Sequence, residues 1–252
     1  MVVKHPKEKT VLVVRPLREQ DAFLQLLKAA DISYCYNPIM RIVPITEPSA
    51  SVERIRDLML QFAQFDQAIF ISANAAEQAI EWLDQYWPML PEVQLFAVGQ
   101  QTAQILKDYG AQVLSPQRQQ NTEGLLQEMP QLQHLDNKSV IIFRGGEGRQ
   151  TLGSTLIERG ADVVYCNLYQ RVLEPARVAE ARAFLNQASC LVAHSGELLQ
   201  GMGVSYDNHI PLVVPSARIA EQAQELGYKD IEVAQNALPK SMLDAVLRIR
   251  EG

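Results

Sequence analysis

The sequence predicts an α/β protein built from two similar halves, and three observations point there. Short, wholly apolar runs at Val11–Val14, Ala68–Ile71, Val140–Phe143 and Cys190–Ala193 suit parallel strands buried on both faces. The segments between them carry apolar residues at helical spacing and are punctuated by glycine. The order of strand, arginine turn, helix and strand that begins at Val11 begins again at Val140.

Taken in order, Val11 to Val14 is a strand closed by Arg15-Pro16, and Asp21 to Ala30 is an amphipathic helix through Phe23, Leu26 and Leu27. A strand-like segment runs from Tyr34 to Ile45 and meets a composition shift at Thr46-Glu47-Pro48-Ser49. Val52, Ile55, Leu58 and Phe62 form a helix face leading to the strand at Ala68 and the turn Ser72-Ala73-Asn74. Leu95 to Gly99 then precedes a helix ending near Gly110, a short strand from Gln112 to Leu114 and a helix led by Asn121-Thr122. The strand at Val140 turns through Arg144-Gly145-Gly146-Glu147-Gly148-Arg149 into a helix bearing Leu152, Leu156 and Ile157, stopped by Gly160. Val163 to Val172 is extended again. Val178, Ala181 and Leu185 lead to the strand at Cys190 and the turn His194-Ser195-Gly196. Leu212 to Pro215, a helix ending at Gly227, a short strand from Ile231 to Ala234 and a helix led by Ser241 complete the chain.

The repeat reaches individual residues. Ala30-Asp31-Ile32-Ser33-Tyr34-Cys35 recurs as Ala161-Asp162-Val163-Val164-Tyr165-Cys166, Arg41 matches Arg171, and Glu47-Pro48 matches Glu174-Pro175. The pattern implies duplication of an open parallel α/β unit whose loop ends can face one another across a cleft. It leaves open whether each repeat folds as its own lobe or the lobes exchange halves.

A net charge of −6 argues against non-specific nucleic-acid binding, and 47% hydrophobic with 21% charged residues in 252 suits a soluble globular protein of one or two domains. Cys35, Cys166 and Cys190 form no C-x-x-C pair, which predicts a reducing compartment without structural disulfides. The first ten residues lack an apolar signal core and no run approaches a membrane span, so a cytoplasmic protein is expected. Scattered His5, His134, His194 and His209 predict no metal site. Thr151 stands where a dinucleotide fingerprint needs its third glycine, and no G-x-x-x-x-G-K-[ST] occurs. No long apolar stripe demands a partner, so a monomer is expected.

Glycine-freed N–H groups, a helix start and two arginines make the turn from Arg144 through Gly145 to Arg149 a candidate anion site. Ser72, Asn74, Thr102, Ser195 and Ser216 follow apolar strands where helices begin. They serve as N-caps, Asn74 with Glu77 fitting a capping box, or as donors lining a ligand cleft, and the two roles are compatible. Tyr34 and Tyr165, repeating at equivalent positions, read as packing residues; Trp82 and Trp87 read as anchors.

With these pieces in order, the sequence resembles the uroporphyrinogen-III synthase family. The resemblance is carried by Phe70-Ile71-Ser72-Ala73-Asn74-Ala75, Ala97-Val98-Gly99 with Thr102-Ala103, Thr122-Glu123-Gly124-Leu125-Leu126, Arg144 to Arg149, Tyr169-Gln170-Arg171 and Ser195-Gly196-Glu197. His194 departs from it, since the family more often has a small hydroxyl residue there. The resemblance implies two similar flavodoxin-like lobes joined by a two-strand connection. The first is discontinuous, residues 1–40 and 173–252; the second is 46–168, with linkers near 41–45 and 169–172.

The resemblance also implies cyclisation of hydroxymethylbilane to uroporphyrinogen III, with inversion of the last pyrrole ring and loss of water, without cofactor or metal. Every ring of that substrate carries an acetate and a propionate, which calls for spread-out donors. Arg15, Arg144, Arg149, Gly145 and the helix starts at Ser72-Ala73-Asn74, Thr102, Ser195-Gly196 and Ser216 are the expected binding residues. Tyr169 is the expected proton donor to the leaving hydroxyl. The rival reading is an intracellular two-lobed binding or sensor protein for a small anion, without catalysis.

Overall fold

The computed structural model describes residues 2–3, 10–17, 21–46, 49–146, 150–204 and 210–251. The chain forms two compact units, Met1–Arg41 with Val172–Gly252, and Ile42–Arg171.

The first unit opens with β1 (Val2–Val3), β2 (Thr10–Pro16), α1 (Ala22–Ala29) and β3 (Tyr34–Pro44), whose last residues already belong to the second unit. The second continues with α2 (Ala50–Leu60), β4 (Gln67–Phe70), α3 (Ala73–Tyr86), β5 (Gln94–Ala97), α4 (Gln100–Asp108) and β6 (Val113–Leu114). It closes with α5 (Thr122–Glu128), β7 (Ser139–Gly145), α6 (Thr151–Glu158) and β8 (Asp162–Leu173). The chain then returns to the first unit with α7 (Pro175–Phe184), β9 (Ala188–Ala193), α8 (Gly196–Met202), β10 (Leu212–Val214), α9 (Ala217–Glu225), β11 (Ile231–Val233) and α10 (Pro239–Glu251). Proline, preset for the first helical turn, starts the last helix two residues before the expected Ser241.

In the first unit the strand order is β11-β10-β9-β2-β3, parallel at every pairing, with β1 antiparallel on β3. In the second it is β8-β7-β4-β5-β6, again parallel. The inner strands β2, β4, β7, β9 and β10 are buried on both faces because their side chains alternate between two helix layers. Ile141 and Phe143 pack with Phe70, Met59 and Leu83 on one side; Val140 and Ile142 pack with Ile69, Leu125 and Leu156 on the other. Phe70 and Phe143 stack at 4.9 Å between ring centroids, and burying each ring contributes roughly 1.5–3 kcal/mol. In the first unit Leu12 and Val14 face one cluster, Val11 and Val13 the other.

Helix ends follow local chemistry. Gly160, with φ 95°, sits in the left-handed region that glycine tolerates and turns the chain from α6 into β8. Asp31, φ 53°, makes the same turn after α1. The N–H three residues past each helix end behaves alike, Ile32 donating to the Leu27 carbonyl and Ala161 to that of Leu156. Strand register agrees, since Val11 lies opposite Tyr34 and Val140 opposite Val163. The structural counterpart of Tyr165 is therefore Tyr36, and the Tyr34-Cys35 match to Tyr165-Cys166 is displaced by two positions. An even displacement keeps each side chain on the same sheet face, which is why the sequence pattern hides it.

The three cysteines are free and buried. Burial pushes the thiols of Cys166 and Cys190 up to about 12, which makes them inert as nucleophiles. Trp87 anchors its helix end by donating from Nε1 to the Met59 carbonyl at 2.7 Å, while Trp82 stacks on Tyr86. Among the described residues no helix is long and apolar enough to cross a membrane.

Candidate functional site

The chemistry-bearing side chains of the second unit gather at the carboxyl ends of its strands, the ligand-binding end of an open α/β sheet. Register shifts where β7 meets β8: Arg144 lies opposite Asn167 but Gly145 lies opposite Tyr169. The extra residue turns both Leu168 and Tyr169 toward the Phe70 and Phe143 cluster. Tyr169 is fully buried, and its ring occupies the space that a side chain at Gly145 would fill. Its carbonyl accepts from Gly146 N–H at 2.8 Å, and its hydroxyl lies 2.9 Å from Ser72 Oγ.

Ser72 is extended and caps α3, its Oγ accepting from the Ala75 N–H at 3.1 Å. That corrects the capping-box expectation, because Asn74 lies within the first helical turn. Ala73 opens that helix. A second correction concerns Thr102, the third residue of α4, which is buried; extended Gly99 stands at the N-cap instead. A helix begins wherever the backbone leaves the extended region, and here it does so earlier than the hydroxyl residue.

Arg144 is buried, donates from Nε to Asn167 Oδ1 at 2.9 Å and holds its guanidinium 3.9 Å from the centre of the Tyr165 ring. Beside it opens a cavity of about 280 Å³ bounded on its polar side by Thr122, Glu123, Thr151, Tyr165 and Arg171. The Arg171 guanidinium is 5.8 Å from the Tyr169 ring centroid, so it adjoins both the cavity and the tyrosine. Arg149 lies outside the described residues.

In the first unit Ser195 caps α8 through Leu198 N–H at 3.3 Å, and Gly196 leaves room for the side-chain amide of Gln222. Ser216 stands at the N-cap of α9 without a side-chain cap bond among the described residues. Arg15 is held at 2.7 Å by Asp21 Oδ1, a carboxylate that also accepts from the N–H groups of Phe23 and Leu24. Among the described residues no cluster of three or more His, Cys, Asp or Glu is placed to hold a metal.

Thr122, Thr151 and Tyr165 line the cavity and Asn167 holds Arg144, and sequence reasoning singled out none of the four for the candidate site. For Tyr165 and Asn167 the signal was the alternation Tyr165, Asn167, Tyr169, Arg171 along β8; Thr122 and Thr151 open α5 and α6 and carried none, and the bulge at Leu168 left no mark.

A family model described as uroporphyrinogen-III synthase HemD matches residues 21–244. The chain belongs to the uroporphyrinogen-III synthase family. The uroporphyrinogen-III synthase of Escherichia coli strain K12 is 31% identical over 251 residues, covering 94% of this chain and 99% of its own. That of Salmonella typhimurium strain LT2 is 32% identical, again covering 94% of this chain and 99% of its own. Among solved structures, a mutant uroporphyrinogen III synthase from the extremely thermophilic bacterium Thermus thermophilus matches with a TM-score of 0.64 at 16% identity, covering 96% of this chain and 99% of that one. The Helicobacter pylori 26695 uroporphyrinogen-III synthetase matches at 0.62 and 16%, covering 96% and 100%. At that identity the two structures carry the fold, a mixed α/β protein with mostly parallel sheet. Membership in the synthase family rests on the sequence matches.

Proposed function

We propose that this chain is a uroporphyrinogen-III synthase of tetrapyrrole biosynthesis, a cofactor-independent lyase that closes hydroxymethylbilane with its last ring inverted. The observation that carries the site assignment is the Tyr169 hydroxyl set beside Ser72 at the head of α3, with Arg171 over the tyrosine ring. Loss of water begins when the leaving hydroxyl takes a proton and departs, leaving a cationic azafulvene. Tyr169 is buried and Ser72 half-buried, so the proton travels from Tyr169 to Ser72 Oγ while the Ser72 hydroxyl proton goes to the leaving group. The azafulvene carbon bonds to the substituted carbon of the terminal ring, a spiro intermediate rearranges, and the ring proton finally released restores the tyrosine. The enzyme's larger task is positioning, because unguided closure takes place at the unsubstituted carbon.

Substrate carboxylates are received by Arg144, the Gly145-Gly146 turn and the first residues of α3, Ser72-Ala73-Asn74. We extend that role to Ser195, Gly196 and Ser216, which open helices of the first unit in the same way. Arg15 is assigned a structural role by its ion pair with Asp21.

The architecture we infer is two flavodoxin-like lobes, residues 1–40 with 173–252 and 46–168, from one duplicated ancestor. Its support is strand order: starting the second unit at β7 gives the neighbour sequence found in the first. Three buried free thiols suit a cytoplasmic enzyme, and we take it to act as a monomer.

The test is isomer analysis after incubation with freshly generated hydroxymethylbilane. Isomer III is the expected product; isomer I alone, the product of spontaneous closure, refutes the enzyme and leaves a binding protein. Tyr169→Phe is expected to lower the rate roughly tenfold or more, the scale of a lost general acid. Unchanged turnover removes Tyr169 from the mechanism.

A further inference from the structure

We propose that the cavity beside Arg144 is a subsite for a single carboxylate-bearing side arm of the tetrapyrrole, received in the position that Asp21 fills in the first unit. The proposal rests on the synthase reading and adds the place and partners of one carboxylate.

The comparison with the first unit carries it. Arg15 and Arg144 each follow four apolar strand residues, and in each case the residue six positions on precedes a helix, Asp21 before α1 and Gln150 before α6. In the first unit the Asp21 carboxylate completes the arrangement: Oδ1 accepts from Arg15 at 2.7 Å and from the N–H groups of Phe23 and Leu24 at 2.9 and 3.2 Å. In the second unit the acid is replaced by Gln150, whose backbone is helical (φ −86°, ψ −11°), and no described side chain caps α6. The donor set remains, and among the described residues none caps α6 as Asp21 caps α1.

Arg144 is 5% exposed, yet Nη1 has no hydrogen-bond partner among the described residues. A guanidinium keeps its charge when buried, and such a charge is costly unless an anion and further acceptors meet it. The group is fixed: Nε is spent on Asn167 and its face rests on Tyr165 at 3.9 Å. Gly153 lets α6 close on that ring, since a side chain there would overlap the Tyr165 hydroxyl. A carboxylate entering the cavity meets Nη1 and, by analogy with Phe23 and Leu24, the N–H groups of Leu152 and Gly153 at the start of α6.

The cavity's size and lining select the class of guest. About 280 Å³ falls below the roughly 300–1,000 Å³ of pockets that enclose a whole small ligand, so it suits one arm of the tetrapyrrole and is too small for the whole molecule. Ile71, Ile142 and Leu152 give it an apolar wall for the methylenes of an acetate or propionate. Among the described lining residues Arg144 and Arg171 are the bases and Glu123 the acid.

Steady-state kinetics with hydroxymethylbilane and thermal melting test this in wild type, Arg144→Gln, Gln150→Asp and Gln150→Asn. Arg144→Gln is expected to raise KM about tenfold or more, the scale of a lost charge-assisted hydrogen bond, with kcat changed by less than about threefold. It should melt no lower than wild type, because an unpaired buried charge is removed. Gln150→Asp supplies the missing carboxylate in place of substrate: KM rises about tenfold and the melting temperature rises, while Gln150→Asn leaves KM near wild type. Wild-type KM in Arg144→Gln overturns the subsite. Should that variant fail to fold, wild-type KM in Gln150→Asp overturns it. A cavity that takes free anions instead would show as stabilisation of wild type, but not of Arg144→Gln, by inorganic phosphate with KM unchanged; that result overturns the side-arm assignment. Isomer I alone from the wild type refutes the enzyme reading itself, a separate outcome.

Discussion

Gly145→Ala is the smallest change that tests how Tyr169 is positioned. An added methyl would overlap three atoms of the tyrosine ring, whereas unbonded carbons rest at about 3.5–4.0 Å, so the ring has to retreat by more than about 1 Å. The ring is fully buried in the cluster that holds Phe70 and Phe143, so it retreats only by pushing on packed neighbours. Overpacking of this kind costs about 1–3 kcal/mol, which for a protein of this size lowers the melting temperature by roughly 2–4 °C per kcal/mol. Displacing the catalytic hydroxyl by about 1 Å takes it out of reach of Ser72, so kcat should fall about as far as in Tyr169→Phe, roughly tenfold or more. The assay is a quenched reaction with isomers I and III separated, run beside a thermal melt. Gly145→Ala with Tyr169→Phe should be no slower than the slower single variant, because both act through one hydroxyl. A Gly145→Ala enzyme that melts lower yet keeps the wild-type rate of isomer III refutes the reasoning: the ring would then be packing without directing chemistry.

Ser72→Ala removes both the cap of α3 and the partner of Tyr169; about 1 kcal/mol of stability and about tenfold in rate should be lost, with Ser72→Thr recovering most of both. Asp21→Ala removes both the carboxylate on part-buried Arg15 and the cap of α1 and is expected to cost about 3 kcal/mol, read from the urea midpoint, with KM unchanged in the folded fraction. The Asp66 carboxyl is held down at about 2, first by the hydrogen bond from Lys138 and then by those from Ser139. A depressed acid stabilises the fold above its ordinary value of 3.8, and that contribution disappears as pH falls from there toward about 2. The stability difference between wild type and Asp66→Asn, followed by circular dichroism, should therefore shrink across that window; a constant difference from pH 5 to 2 would refute the assignment.

Strands were legible because burial on both faces demands unbroken apolar runs, as at Val140 to Phe143, and helices because their apolar spacing survives on one side. Helix starts were less so. Ser72 and Asn74 are both good caps on propensity, and only the backbone path decides between them; Thr102 satisfies the same propensity from inside a helix. Arg15 and Arg144 look alike in sequence, each closing an apolar strand. What separates them is the residue six positions on: a carboxylate in one case, an amide in the other. That difference was visible as letters, but its meaning depended on seeing Asp21 fold back over the start of α1. Tyr165 was read as packing from its repeat; it does pack, and the partner it packs against is the guanidinium.

The strands β3 and β8 each leave one unit and enter the other, so the second unit is a continuous stretch while the first is written in two instalments. During synthesis from the N-terminus, residues 42–171 emerge together and can close their sheet at once. Meanwhile β2 has β3 at one edge only, and its other neighbour, β9, begins at Ala188. Until that strand leaves the ribosome, Val11 to Val14 present an open apolar edge, the kind that invites wrong pairing. β2 is thus made before the whole second unit yet gains its second neighbour after it, and the interval before β9 arrives is when a chaperone has most to protect.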